Sequence, residues 1–134
     1  MLILLVRREK KALGELRQLV WQCYPGSDAL AFTDAAQALA FVEGRRLDID
    51  LCITDVQLSG MTGLRLVRQL RQRDRRTKAV LISASRAYGL DAWRAGASDY
   101  LLEPVTLDSV RHTIGNCSPF LSGYQAEERR GCSV

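Results

Sequence analysis

Five short apolar runs constrain the fold of this chain more than any other feature. They lack the polar alternation of half-exposed strands and lie at Leu2–Val6, Ala29–Phe32, Leu51–Thr54, Ala79–Ile82 and Tyr100–Leu102. Continuous apolar runs of this length are typical of strands that are covered on both faces. The runs therefore predict a sheet that lies between two layers of helices.

A segment with helical periodicity follows each of the five runs. The first carries one apolar stripe and ends before Pro25, and the second is capped by Thr33 or Asp34 and ends at Gly44. The remaining three helices are predicted around Leu66 to Leu70, at 89–95 and from Leu107 to about Ile114. Strands that alternate with helices imply right-handed crossovers and a parallel sheet. The predicted fold class is α/β, a doubly wound five-stranded parallel sheet in a three-layer α/β/α sandwich.

The length of the chain suits one domain with a tail. It has 134 residues, of which 47% are hydrophobic, and we expect a domain over residues 1–117 and a polar tail or linker over 118–134. The apolar run at Met1–Val6 is too short to span a bilayer, and the four cysteines show no paired spacing. We therefore expect a cytoplasmic protein without a membrane partner, a metal site or another cofactor.

The residues that follow the strands are the candidate site residues, because ligands of doubly wound sheets bind beyond the carboxyl ends of the strands. Arg7 and Arg8 follow the first strand, Asp55 follows the third, Ser83 follows the fourth and Glu103 follows the fifth. We expect these five side chains to lie at one edge of the sheet.

Two separated segments resemble the response-regulator receiver family, whose fold is of the flavodoxin-like type. Asp50 to Gly63, with the sequence DLCITDVQLSGMTG, is similar to the phosphoacceptor strand and loop of that family. Ala95 to Pro104, with the sequence AGASDYLLEP, is similar to its fifth strand. The resemblance covers roughly residues 2 to 115.

The resemblance implies a role for four residues. Asp55 stands at the phosphoacceptor position, Ser83 at the switch hydroxyl and Tyr100 at the aromatic residue that changes rotamer with it. Pro104 matches a proline that in the family commonly follows a cis peptide bond.

The chain departs from the family at the residues that perform the chemistry. Family members carry two acidic residues after the first strand, which hold Mg²⁺ together with the acceptor, and a lysine before the proline. This chain has Arg7 and Arg8 at the acidic-pair positions and Glu103 at the lysine position. The net charge of these positions and the acceptor changes from −2 in the family to 0 here. We therefore expect no Mg²⁺ site and expect Asp55 to be an ion-pair partner.

The first functional hypothesis is an atypical receiver, a pseudo-receiver that is not an enzyme and signals through protein–protein contacts. Its partner would be a kinase, an output domain or a like subunit in a homodimer. The resemblance implies an interaction face on the fourth helix, fifth strand and fifth helix, with the candidates Trp93, Arg94, Tyr100 and Arg111. The second hypothesis is a working phosphoacceptor domain that a histidine kinase phosphorylates at Asp55.

A third hypothesis is nucleic-acid binding through an arginine-rich third helix. The formal net charge is +4, and the densest basic stretch comprises Arg65, Arg68, Arg71, Arg73, Arg75, Arg76 and Lys78. Charge along an amphipathic helix usually marks a solvated face, so a nucleic-acid partner is not the expectation. Binding of this kind would weaken steeply with salt.

Four further residues have packing or surface interpretations. Trp21 and Trp93 are first interpreted as core or edge packing of their helices, and Cys52 as a buried hydrophobic residue. His112 is interpreted as a surface residue.

Overall fold

The five apolar runs form one parallel sheet in the computed structural model, which describes residues 1–117. The strands are β1 (Leu2–Val6), β2 (Asp28–Phe32), β3 (Leu51–Asp55), β4 (Lys78–Ser83) and β5 (Asp99–Leu102). Their order across the sheet is β2-β1-β3-β4-β5. Each predicted strand is confirmed within one residue at either end.

Helices separate the strands along the chain. They are α1 (Lys10–Cys23), α2 (Ala35–Gly44), α3 (Gly63–Arg73), α4 (Gly89–Arg94) and α5 (Leu107–Cys117), and a 3₁₀ turn at Arg86–Tyr88 precedes α4. Asp34 caps α2, because its Oδ1 accepts a hydrogen bond from the Gln37 N–H at 2.8 Å. Thr62 caps α3 in the same way, through the Arg65 N–H at 3.2 Å.

The helices cover both faces of the sheet. Residues of α1 and α5 pack with Ile3, Leu5 and Ile53 on one face. On the other face, α2 and α3 pack with Leu4 and Val6, while α3 and α4 pack with Ala79 and Leu81. Alternate residues of β1 thus point to opposite layers, as the pleat of a strand requires. The predicted three-layer α/β/α sandwich is confirmed.

The end of α5 coincides with the end of the described chain. The helix continues to Cys117, three residues beyond the predicted end at Ile114. The predicted tail at 118–134 lies outside the described residues. Within residues 1–117, no helix is both long and apolar enough to cross a bilayer.

The packing interpretation is wrong for both tryptophans. Trp21 on α1 is 59% exposed and Trp93 on α4 is 74% exposed. Helix α1 is amphipathic and α4 is short, and each indole lies on the solvent-exposed side of its helix. The periodicity of apolar residues in the sequence did not reveal this orientation. The other two interpretations are confirmed, since Cys52 is fully buried in β3 and His112 is exposed on α5.

Gly63, the first residue of α3, lets this helix approach the end of β3 closely. Its N–H donates a hydrogen bond to the Val56 carbonyl at 3.0 Å. A Cβ at this position would overlap the Asp55 carbonyl oxygen and lie 2.8 Å from the Asp55 carbonyl carbon. The nearest atoms belong to the backbone of Asp55, which cannot move aside as a flexible side chain could. The missing side chain therefore helps to fix the peptide that carries Asp55.

We expect Gly63→Ala to lower the free energy of unfolding by about 1 to 3 kcal/mol, the usual range for forcing extra volume into a packed site. Urea unfolding of the purified protein measures this change. Gly14→Ala is the matched control, because nothing lies within 4 Å of a Cβ at Gly14, on the outside of α1. The control should gain roughly 0.5 to 1 kcal/mol from the better helix propensity of alanine. Equal effects of the two substitutions would contradict a steric role for Gly63.

Candidate functional site

The ends of β1, β3, β4 and β5 meet around one cleft. The cleft has a volume of about 340 Å³, and its lining includes Arg7, Arg8, Asp55, Ser83 and Glu103. The parallel strands bring these residues together because their carboxyl ends share one edge of the sheet. The structure thus joins all five candidate residues that the sequence indicated.

Arg7 lies at the centre of the cleft and connects two carboxylates. Its Nε is 3.0 Å from Oδ1 of Asp55, and its Nη2 forms an ion pair with Oε1 of Glu103. The Arg7 side chain is 8% exposed, that of Asp55 is 13% exposed and that of Glu103 is 41% exposed. A single, buried guanidinium therefore bridges the end of β3 and the segment after β5.

Arg8 contributes to the cleft through its backbone. Its N–H donates a hydrogen bond to Oδ2 of Asp55 at 2.8 Å. Its exposed side chain forms no ion pair with a carboxylate of the described chain. Both carboxylate oxygens of Asp55 therefore have a donor, but only Arg7 supplies a charge at contact distance.

Burial raises the pKa of the Asp55 carboxyl above its ordinary value. The Arg8 backbone N–H and the Arg7 guanidinium lower this pKa and so offset part of the rise, while the Glu103 carboxylate adds to it. The cost of removing Asp55 from water, together with the repulsion from Glu103, thus outweighs the gain from its two donors. Asp55 therefore depends on Arg7 for charge compensation, while Arg7 also has Glu103.

Ser83 and Tyr100, which match the switch positions of the family, both bind the backbone of Ser85. The Ser83 Oγ accepts a hydrogen bond from the Ser85 N–H at 3.0 Å, and the Tyr100 hydroxyl donates to the Ser85 carbonyl oxygen. Ser83 is buried and Tyr100 is half-buried. Sequence reasoning missed Ser85. A usable signal was its capping position, because its own Oγ accepts a hydrogen bond from the Ala87 N–H at the start of the 3₁₀ turn.

Of the four candidates for an interaction face, Trp93, Arg94 and Arg111 are exposed, whereas Tyr100 is half-buried. Trp93 and Arg94 are exposed on α4, and Leu90, one helical turn before Trp93, is 58% exposed. Arg111 is exposed on α5, and its Nη1 lies 3.8 Å from the Asp108 carboxylate. The expectation for Pro104 is confirmed, because the Glu103–Pro104 peptide bond is cis.

The residues of the cleft do not fit a divalent cation. Mg²⁺ requires several oxygen ligands in near-octahedral arrangement, of which one or two are usually carboxylates. Here the guanidinium of Arg7 lies between the two carboxylates, and no three His, Cys, Asp or Glu side chains within residues 1–117 are grouped to hold a metal. The donor set on this edge of the sheet is therefore that of an ion-pair network.

Comparison with known proteins identifies relatives among the response regulators. Over 71 residues the chain is 38% identical to the response regulator protein PilR of Pseudomonas aeruginosa, which covers 52% of this chain and 16% of the relative. Over 115 residues it is 31% identical to the Regulator of RpoS of Escherichia coli K12, which covers 81% of this chain and 34% of the relative. The chain thus spans about a third or less of the length of these relatives.

The fold has close structural neighbours. The response regulatory domain of mrkE from Klebsiella pneumoniae superposes with a TM-score of 0.77 at 20% sequence identity, covering 97% of this chain and 99% of that domain. The family model described as "Response regulator receiver domain" matches residues 3–115. The chain therefore belongs to the response regulator receiver domain family, the receiver modules of two-component signalling.

Proposed function

We propose that this receiver domain is a pseudo-receiver, which signals through protein–protein contacts in the cytoplasm and not through Mg²⁺-dependent phosphorylation. One observation carries the proposal. The side chain of Arg7, from an acidic-pair position, is buried between Asp55 at the acceptor position and Glu103 at the lysine position. The protein's own charges occupy the site, so it acts as a binding module and not as an enzyme.

Charge at this site works against a metal ion. In the family, Mg²⁺ is attracted by a site whose charge is negative before the metal binds. Arg7 and Arg8 balance Asp55 and Glu103 here, so that the four residues have no net charge. A divalent cation would also have to displace the Arg7 guanidinium from Asp55, which would leave a buried guanidinium without one of its two partners.

The surroundings of Asp55 also disfavour phosphoryl transfer. Transfer depends on positioning and on groups that cancel charge on the moving oxygens. Oδ1 of Asp55 is bound to Arg7 and Oδ2 to the Arg8 N–H, so each oxygen has a donor that lowers its nucleophilicity. Glu103 adds a negative charge where the family has a lysine, and this charge repels a phosphoryl group.

Contact with a protein partner remains as the means of signalling. Leu90 and Trp93 are three residues apart on α4, so they share one side of that helix, and both are largely exposed. Aromatic residues are enriched at the centres of protein interfaces. With Arg94 beside them, they form a surface that suits a kinase, an output domain or a second copy of this chain.

We expect that incubation with acetyl phosphate and Mg²⁺ leaves the mass of the protein unchanged. The reason is that the metal and the lysine, which neutralise the transferred group in the family, both lack a counterpart here. Intact-mass spectrometry measures the result. A stable gain of about 80 Da, one phosphoryl group, that maps to Asp55 would overturn the proposal in favour of a working phosphoacceptor.

Two controls make the phosphorylation experiment decisive. A receiver that carries the acidic pair and the lysine must be modified under the same conditions, which shows that the reagent is active. The Asp55→Asn variant of this protein must show the same change of mass on treatment as the wild type. A gain of mass in both proteins would indicate modification at another residue and would leave the expectation for Asp55 satisfied.

The network around Arg7 predicts an unequal response to substitution. Arg7→Ala leaves two carboxylates without their cation, and we expect a loss of about 3 to 5 kcal/mol in the free energy of unfolding. Asp55→Ala leaves Arg7 its second partner, Glu103, and should therefore cost less, about 1 to 3 kcal/mol. Urea unfolding of both single variants and of the double variant gives the coupling between the two residues, which should exceed about 1 kcal/mol.

Arg8→Ala is the matched control for this cycle. The substitution removes the same type of side chain next to Arg7 but retains the backbone N–H that binds Asp55. Its coupling with Asp55→Ala should stay below about 0.5 kcal/mol, as for an exposed charge. Equal coupling for Arg7 and Arg8, or none for either, would mean that no buried network holds Asp55.

A further inference from the structure

The net positive charge of the chain is concentrated in two segments, one before and one after β3 in the sequence. Residues 43–50 and 63–78 together contain nine basic and four acidic residues, whereas the rest of the chain contains ten basic and eleven acidic residues. These segments thus carry a formal charge of +5, more than the +4 of the whole chain. They comprise the end of α2, α3 and the loops that follow these two helices.

The fold brings the two segments together on one side of the sheet. Helices α2 and α3 pack in the same layer over Leu4 and Val6. A hydrogen bond of 3.4 Å from Arg73 Nη2 to the Leu47 carbonyl oxygen joins the loop after α2 to the end of α3. We define the α2–α3 arginine face by its exposed arginines, which are Arg45, Arg46, Arg65, Arg68, Arg73, Arg75 and Arg76.

Most of these arginines form no ion pair within residues 1–117. Arg76 pairs with Asp74, but Arg65, Arg68 and Arg75 form no ion pair with any carboxylate of residues 1–117. Arg71, by contrast, has a structural role and lies outside the face. Its Nη1 donates to the carbonyl oxygens of Arg75 and Thr77, at 3.1 and 2.5 Å.

The face offers charge without a large exposed hydrophobic side chain. The large hydrophobic side chains exposed in the described chain are Trp21 on α1 and Leu90 and Trp93 on α4, so none lies on the arginine face. The residues between its arginines on α3 include Gln69 and Gln72, whose side chains are also polar. A protein interface usually needs an apolar core, and insertion into a membrane surface needs apolar side chains. Interfaces with nucleic acids are more polar and much more positively charged than those between proteins.

We propose that the α2–α3 arginine face binds the phosphate backbone of nucleic acid without sequence specificity. Arginine suits this task because its planar guanidinium can bind two phosphate oxygens at once. The eleven residues of α3 extend about 16 Å, a length over which duplex DNA carries about nine phosphate charges. This inference uses residues outside the cleft and does not depend on the proposed function.

Fluorescence anisotropy of a labelled 20-base-pair DNA duplex with the full chain tests the proposal. Contact with four or five phosphates predicts that affinity falls roughly a few hundredfold between 50 and 200 mM salt. The variant Arg65→Gln, Arg68→Gln, Arg75→Gln removes three of the unpaired arginines. It should bind at least about tenfold more weakly at 50 mM salt and reduce the slope of log affinity against log salt by about 3.

The matched control carries Lys11→Gln, Arg17→Gln and Arg86→Gln, three exposed basic residues outside the face. It has the same net charge as the test variant and should retain affinity within about threefold of the wild type. None of the three arginines in the test variant uses its side chain in a hydrogen bond within residues 1–117, so the variant should fold, which a thermal melt checks.

Three outcomes would overturn the proposal. The first is an equal loss of affinity in both triple variants, which would indicate net charge alone. The second is the absence of salt-dependent duplex binding by the wild type. The third is preferential binding, through the same arginines, to vesicles with 30% phosphatidylserine or to polyglutamate, which would assign the face to a membrane or an acidic protein.

Discussion

The buried guanidinium of Arg7 is the constraint on which the arrangement of the cleft depends. It comes from the end of β1 and binds Asp55 at the end of β3 and Glu103 after β5, so one side chain joins residues from three strand ends. Arginine retains its proton at any ordinary pH, so its burial requires carboxylates close by. Asp55 and Glu103 meet this requirement, and the burial that Arg7 shares with Asp55 raises the pKa of the Asp55 carboxyl.

A network of this kind favours one arrangement of the strand ends. Receiver signalling requires two arrangements that differ by a few kcal/mol, so that an input can shift the population from one to the other. Here the two oxygens of Asp55 are bound from β1, and Ser83 and Tyr100 are both bound to Ser85. A pseudo-receiver of the proposed kind would present the same surface to its partner at all times. Its signalling would then be regulated through the amount or the location of the protein in the cell.

The sequence predicted the strands well because short continuous apolar runs are typical of strands that are buried on both faces of a sheet. It also identified five of the residues that line the cleft, since parallel strands must end at one edge, but it missed Glu9 and Gln57, which line the cleft as well. It did not distinguish Arg7 from Arg8. Residues 3, 5 and 7 face the layer of α1 and α5, while Arg8 lines a cavity with Val56, Leu64 and Tyr88 on the opposite side. That outcome depends on three-dimensional neighbours, as do the exposure of Trp93 and the contacts of Ser85.

The contrast between Arg7 and the arginines of α3 shows how burial decides the use of one residue type. Arg7 has lost its hydration, so its charge must be neutralised locally, and little of its field extends beyond the cleft. Arg65 and Arg68 stay hydrated and unpaired within the described chain, and their fields extend over roughly a Debye length, about 8 to 10 Å. Such charges add little to the stability of the fold. Their concentration on one face therefore has its main physical consequence in the association of this domain with an oppositely charged partner.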